Sequence, residues 1–154
     1  MAYVSRGFIP QTSLASNLGF TRPMYIPAGN ATATALYDIV KVSTSGSTAD
    51  TAGVPAGLMG CVRVSDKDDV PCGVIVGFIA DPDYLNQTYR SASTARVALV
   101  NYDPQVVLEA QEDDNGTTLA VARIGTPVDL VPGSIDTVTG TSGMQISSAT
   151  LAGS

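Results

Sequence analysis

The stretch PCGVIVGFIADP, residues 71–82, constrains the fold of this chain more than any other. It is apolar at consecutive positions, so both faces of an extended segment would be apolar. Pro71 and Pro82 bracket it, and proline belongs at strand ends because it cannot donate to a ladder. A short, doubly apolar run bounded in this way reads as a strand covered on two sides, the most central of its sheet.

The rest of the chain repeats the strand signal in weaker form. Short apolar runs lie at ALYDIVKVS (35–43), GLMGCVRVS (57–65), RVALVNY (96–102), VVLEAQE (106–112), TTLAVARI (117–124) and MQISSATL (144–151), with MYIP (24–27) and PVDLV (127–131) as shorter candidates. Clusters of Gly, Pro, Asp, Asn, Ser and Thr separate them. No 11-residue window carries a convincing helical i, i+3, i+4, i+7 stripe. In ALYDIVKV, Leu36, Asp38, Val40 and Val42 share one face, and an acid there implies a strand end or a paired carboxylate. STSGSTADTAGVPAG (43–57) and DYLNQTYRSAS (83–93) are the long loops, and no internal repeat is present. Many short strands at this spacing indicate an all-β chain, a small jelly-roll-like or β-barrel/sandwich domain. A length of 154 residues suits one domain.

Residues 1–24 read differently. They contain no acid, two arginines, and apolar side chains without periodicity: Tyr3, Phe8, Ile9, Leu14, Leu18 and Phe20. The expectation is an extended N-terminal arm over 1–24 and a single β domain over 25–154. The arm is expected to contact a sister subunit or another protein through Tyr3, Arg6, Phe8, Ile9, Phe20 and Arg22.

Charge excludes several functions. Only 14% of residues are charged, against roughly 25% in an average soluble domain, and 44% are hydrophobic. The formal net charge is −6, with +1 in residues 1–60 and −7 in residues 61–154. Eight scattered cations do not make a nucleic-acid surface, which needs clustered Lys and Arg. No run approaches the roughly 18 apolar residues of a membrane span, and the N-terminus lacks the pattern of a secretory signal. Synthesis in a host cytoplasm is the expectation, so the Asn30, Asn86 and Asn115 acceptor-like tripeptides read as loop asparagines. Cys61 and Cys72 read as buried free thiols, with a cross-strand disulfide as the alternative.

The acidic stretch QEDDNG (111–116) is the one cluster that suggests chemistry. A calcium loop with Gly116 at its sixth position would put Gln111 first and Ala122 twelfth, and alanine binds nothing. Catalysis lacks its usual parts. There is no histidine, which removes Ser-His and Cys-His activation, and no phosphate-binding glycine pattern occurs. Neither an enzyme, a metal site nor a cofactor is expected. Asn115-Gly116 is instead the preferred pair for a two-residue hairpin turn, which would join VVLEAQE to TTLAVARI and leave Glu112, Asp113 and Asp114 at its wet tip.

Several segments in this order, YVSRGFIP, PCGVIVGFIA, RVALVNYDPQVVLEAQEDDNG and VARIGTPVDL followed by TGTSGMQISSATL, resemble the structural cement, or head decoration, proteins of tailed bacteriophages. The resemblance implies a non-enzymatic all-β domain on the outside of an icosahedral phage head. There it would clamp neighbouring major capsid protein subunits as a homo-oligomer, a trimer rather than a dimer, located on the capsid exterior of the virion. In that family another apolar strand usually follows the serine-rich segment, and here the chain ends at Ser154. Another virion or surface-binding β module, of tail or adhesin type, is the alternative. The absence of Trp speaks against an aromatic glycan platform.

Overall fold

The computed structural model describes residues 6–13, 20–48, 54–66, 68–113, 115 and 118–148. Nine strands are present among them: β1 (Ile9–Ser13), β2 (Thr21–Ile26), β3 (Ile39–Ser43), β4 (Gly60–Arg63), β5 (Gly73–Phe78), β6 (Arg96–Asn101), β7 (Val106–Glu109), β8 (Leu130–Val131) and β9 (Gln145–Ile146). The only helix among the described residues is a 3-10 turn, Val121–Arg123.

Five strands close into a barrel in the order β2-β4-β3-β5-β6. All its contacts are antiparallel except β2 with β4, which meet in parallel where Tyr25 faces Gly60. Alternation fills the interior. Met24 and Ile26 on β2, Val40 on β3, Cys61 on β4, Ile75 on β5, and Ala98 and Val100 on β6 form one buried cluster. Every barrel strand contributes to it, as a small barrel without a lumen requires.

A second core lies outside the barrel wall. Phe8, Ile39, Val64, Val74 and Met144 cluster there, with Val76, Leu108, Ala110, Leu130 and Ile146 packed against them. Ile39 and Val74 are the outward neighbours of Val40 and Ile75, so β3 and β5 bury both faces. The cover comes from two ribbons, β1 with β7 and β8 with β9. Glu112 bridges them by pairing in parallel with Ile146. The strand expected to be most central is therefore β5, with Ile75 inside and Val74 outside, both at 0% exposure.

Three expectations are corrected. First, residues 6–13 and 20–24 do not stand clear of the domain. β1 pairs with β7, β2 is a barrel strand paired along its length with β6, and Phe8 is 6% exposed. The boundary expected after residue 24 falls inside β2. Periodicity is absent from β1 because the register shifts between Pro10 and Thr12, leaving Gln11 as a bulge.

Second, ALYDIVKV is not one strand. Tyr37 has φ of 68°, a left-handed turn that a non-glycine residue rarely adopts, and β3 starts only at Ile39. Its backbone is held on both sides, Tyr37 N–H donating to Ile75 O at 2.9 Å and Phe8 N–H to Tyr37 O at 3.0 Å. Gly7 makes the latter approach possible. Its φ is 74°, and a Cβ there would lie 2.5 Å from Ser142 Cβ and 2.7 Å from Tyr37 O.

Third, 106–112 and 117–124 do not form a hairpin. β7 spends its edge on β1, residues 118–120 carry no strand, and Val121–Arg123 is the 3-10 turn. Gly116 and Asp114 lie outside the described residues.

Candidate functional site: an apolar groove rimmed by Phe20, Arg22 and Tyr102

The buried polar groups are framework. Asp38 is 0% exposed, and Arg63 Nε lies 2.9 Å from its Oδ1 without an aligned hydrogen bond, so charge holds the pair. Ser142 Oγ donates to Oδ1 at 2.5 Å and Ala35 N–H to Oδ2 at 2.7 Å. Burial raises the Asp38 carboxyl above its ordinary range, against the pull of Arg63 and these donors. The sequence pattern allowed a strand end or a paired acid at this position, and both hold, since β3 begins at Ile39 and Arg63 is the partner. The pattern did not anticipate the partners, which come from β4 and from the loop before β9. Arg63 also donates to Gly133 O, tying that loop to the barrel.

Arg90 is likewise 0% exposed, and only carbonyl oxygens receive its guanidinium: Thr94 at 2.6 Å, Thr32 at 2.6 Å, Asn30 at 2.8 Å and Pro27 at 2.9 Å. It pins the loop after β2 to the turn before β6. Burial lowers its pKa to about 10, so it stays charged at neutral pH. Arg96, 7% exposed, lies over the Phe78 ring at 4.8 Å and donates to Gln87 O and Tyr89 O. Two of the cations that look like scattered surface charge are thus internal braces.

The acidic stretch is a clamp on the C-terminal strand. Asp113 Oδ1 accepts from Ser148 N–H at 2.9 Å and from Ser148 Oγ at 2.6 Å, and these bonds depress its pKa. Glu112 Oε2 accepts from Leu119 N–H at 2.9 Å, and Glu112 O accepts from Gln145 Nε2 at 3.0 Å. Among the described residues no group of three or more His, Cys, Asp or Glu side chains is arranged to hold a metal ion. Cys61 and Cys72 are both free, and burial pushes the Cys61 thiol up to about 12 and raises that of Cys72.

A concave feature opens between the barrel wall and the outer layer. A groove of about 370 Å³ runs between the β3–β5 wall and the outer layer. Its walls are Phe8, Ile39, Cys72, Val74, Val106, Leu108 and Leu130, with Pro71, Tyr102, Asp103 and Pro104 also lining it. The Asp103 carboxylate is 4% exposed and already accepts Ser13 Oγ and, at 2.9 Å, Gln105 N–H.

Tyr102 joins the groove to an exposed cluster. Phe20, 53% exposed, sits 6.2 Å from the Tyr102 ring centroid at an interplanar angle of 41°. The Arg22 guanidinium lies 5.4 Å over the same ring. Pairing of Thr21 with Asn101 sets this juxtaposition, continued by Tyr102 N–H donating to Phe20 O at 2.9 Å.

The residues expected to make outside contacts therefore separate. Phe20 and Arg22 come together on the surface, Arg6 is exposed, Ile9 is half-buried opposite Glu109, and Phe8 is core and groove wall. Tyr3 lies outside the described residues. Tyr102, Val106, Leu108 and Leu130 were not expected as site residues from the sequence. NYDP, an apolar strand running into an Asp-Pro step, was the available signal for Tyr102. Comparison with protein-family models, with curated proteins and with solved structures finds no match to this chain.

Proposed function

We propose that this chain is a non-enzymatic docking module that binds the outer surface of an icosahedral phage head and stabilises contacts between major capsid protein subunits. The observation that carries it is the exposed Phe20–Arg22–Tyr102 cluster continuous with an apolar groove. Aromatic residues and arginine at the mouth of an apolar pocket are the composition of protein-binding hot spots. The order of sequence segments that resembles head decoration proteins supplies the kind of partner. Further aliphatic side chains stand in water, among them Val70 at 80%, Leu85 at 75%, Val121 at 83% and Ile124 at 81% exposure, and they suit a chain that spends its working life covered. Association as a homotrimer belongs to the same reading. Many weak copies on one particle give retention by avidity.

The test is co-sedimentation with preassembled, undecorated capsids of the phage that encodes the chain. Saturable binding that Tyr102→Ala weakens is the expected result. Retention of the chain in the supernatant at every capsid concentration would remove the head-binding reading.

A further inference from the structure

The docking face also carries information about what it docks. The groove walls are aliphatic and aromatic, and its volume of about 370 Å³ suits a few side chains rather than a folded surface. At its rim, Arg22 is exposed and pairs with no carboxylate among the described residues. It lies instead over the face of Tyr102, itself a groove residue. The one acid in the groove wall, Asp103, is spent on Ser13 and on the Gln105 backbone and is almost wholly covered.

We propose that the groove and Arg22 together take a short segment of the partner protein, seating an apolar side chain between Tyr102, Val106, Leu108 and Leu130 and setting a carboxylate on Arg22. The charge complement argues for an acidic partner segment. A basic segment would meet Arg22 at the lip and gain nothing from Asp103. The orientation follows from the rim position: the apolar residue enters the groove and the acid stays at the wet edge, where Arg22 keeps its stacking on Tyr102 and still offers its free donors. This rests on the reading of this face as the docking face.

Fluorescence anisotropy of the full chain with two labelled octapeptides, GSLFDESG and GSLFKKSG, tests it. The acidic peptide is expected to bind about fivefold tighter than the basic one, the size of one exposed ion pair, with the difference shrinking in salt. Arg22→Glu is expected to invert the order. Val106→Trp, on the half-buried wall of the groove, fills it and is expected to abolish binding of both peptides, with circular dichroism confirming that the barrel persists. No saturable binding of either peptide up to about 1 mM, or a preference that Arg22→Glu leaves unchanged, overturns the proposal. Capsid co-sedimentation of the same variants separates the two readings. Peptide binding by a chain that never sediments with capsids removes the phage-head function and leaves the groove. Decoration that survives both Arg22→Glu and Val106→Trp removes the role of the groove alone.

Discussion

Replacing Phe8 by alanine distinguishes a core residue from an arm residue. Phe8 is 6% exposed and packs with Ile39, Val64, Val74 and Met144. A phenylalanine in such a place costs about 3–5 kcal/mol on truncation, as lost transfer energy plus the cavity left behind. Phe8 also lines the open groove, so part of the new space joins a volume that water already reaches. The expected loss is therefore at the low end, about 3 kcal/mol. Phe20→Ala is the internal control. Phe20 is 53% exposed and lies beside the Tyr102 ring, so its loss should stay within about 0.5 kcal/mol. Urea unfolding followed by far-ultraviolet circular dichroism reads both, and unchanged slopes would show that the two states are the same in each variant. A neutral Phe8→Ala, or a Phe20→Ala as damaging as Phe8→Ala, would refute the second core and restore a free arm.

Three other outcomes rest on particular contacts. Asp38→Asn should cost roughly 3 kcal/mol in chemical denaturation, because Arg63 would then be buried without its counter-charge; an effect below about 0.5 kcal/mol, the range of ordinary surface sites, would mean the pair is not sealed. Asp69 is held at about 2 by Lys41, whose Nζ lies 2.5 Å away, and by the Ser65 backbone N–H. A depressed carboxyl gives stability that is present above its unfolded value of 3.8 and is lost as pH falls toward about 2, so Lys41→Met should flatten the melting temperature between those limits and leave its pH dependence above them unchanged. Gly7→Ala should destabilise by about 2 kcal/mol or more, since a Cβ at positive φ would also collide with Ser142 and the Tyr37 carbonyl; a melting temperature equal to that of the parent would show that this approach is looser than described.

The local content of the chain was legible residue by residue. PCGVIVGFIADP announces a strand buried on both faces because its apolar positions do not alternate, and β5 is that strand. Asp38 announces a strand end or a paired acid because a carboxylate on the face of Leu36 and Val40 has no water to turn to, and the structure shows both, with β3 starting at the next residue and Arg63 as the partner. The all-β class comes from period-two runs broken by glycine and proline, with no helical stripe to compete.

Partner choice was not legible, because strand pairing is decided by the residues across the ladder and not by the next segment along the chain. Asn115-Gly116 is a favourable turn, yet β7 pairs with β1, about a hundred residues earlier, and Glu112 with Ile146. Burying Leu108 and Ala110 against the barrel wall, together with Phe8, Leu130 and Ile146, gains a shared core that a two-stranded hairpin with a wet face could not supply. The same long-range pairing turned part of an apparent arm into β1 and β2, and it alone brought Phe20 and Arg22 onto Tyr102. Sequence by itself determined that this chain makes strands and which segments must be buried, because hydrophobic period and turn chemistry act over a few residues. Only the tertiary structure decided that five of those strands close on themselves, which ribbons cover the β3–β5 wall, and where an apolar groove with an arginine at its lip is left open. Those outcomes depend on contacts between residues far apart in the chain, whose energies no local window contains.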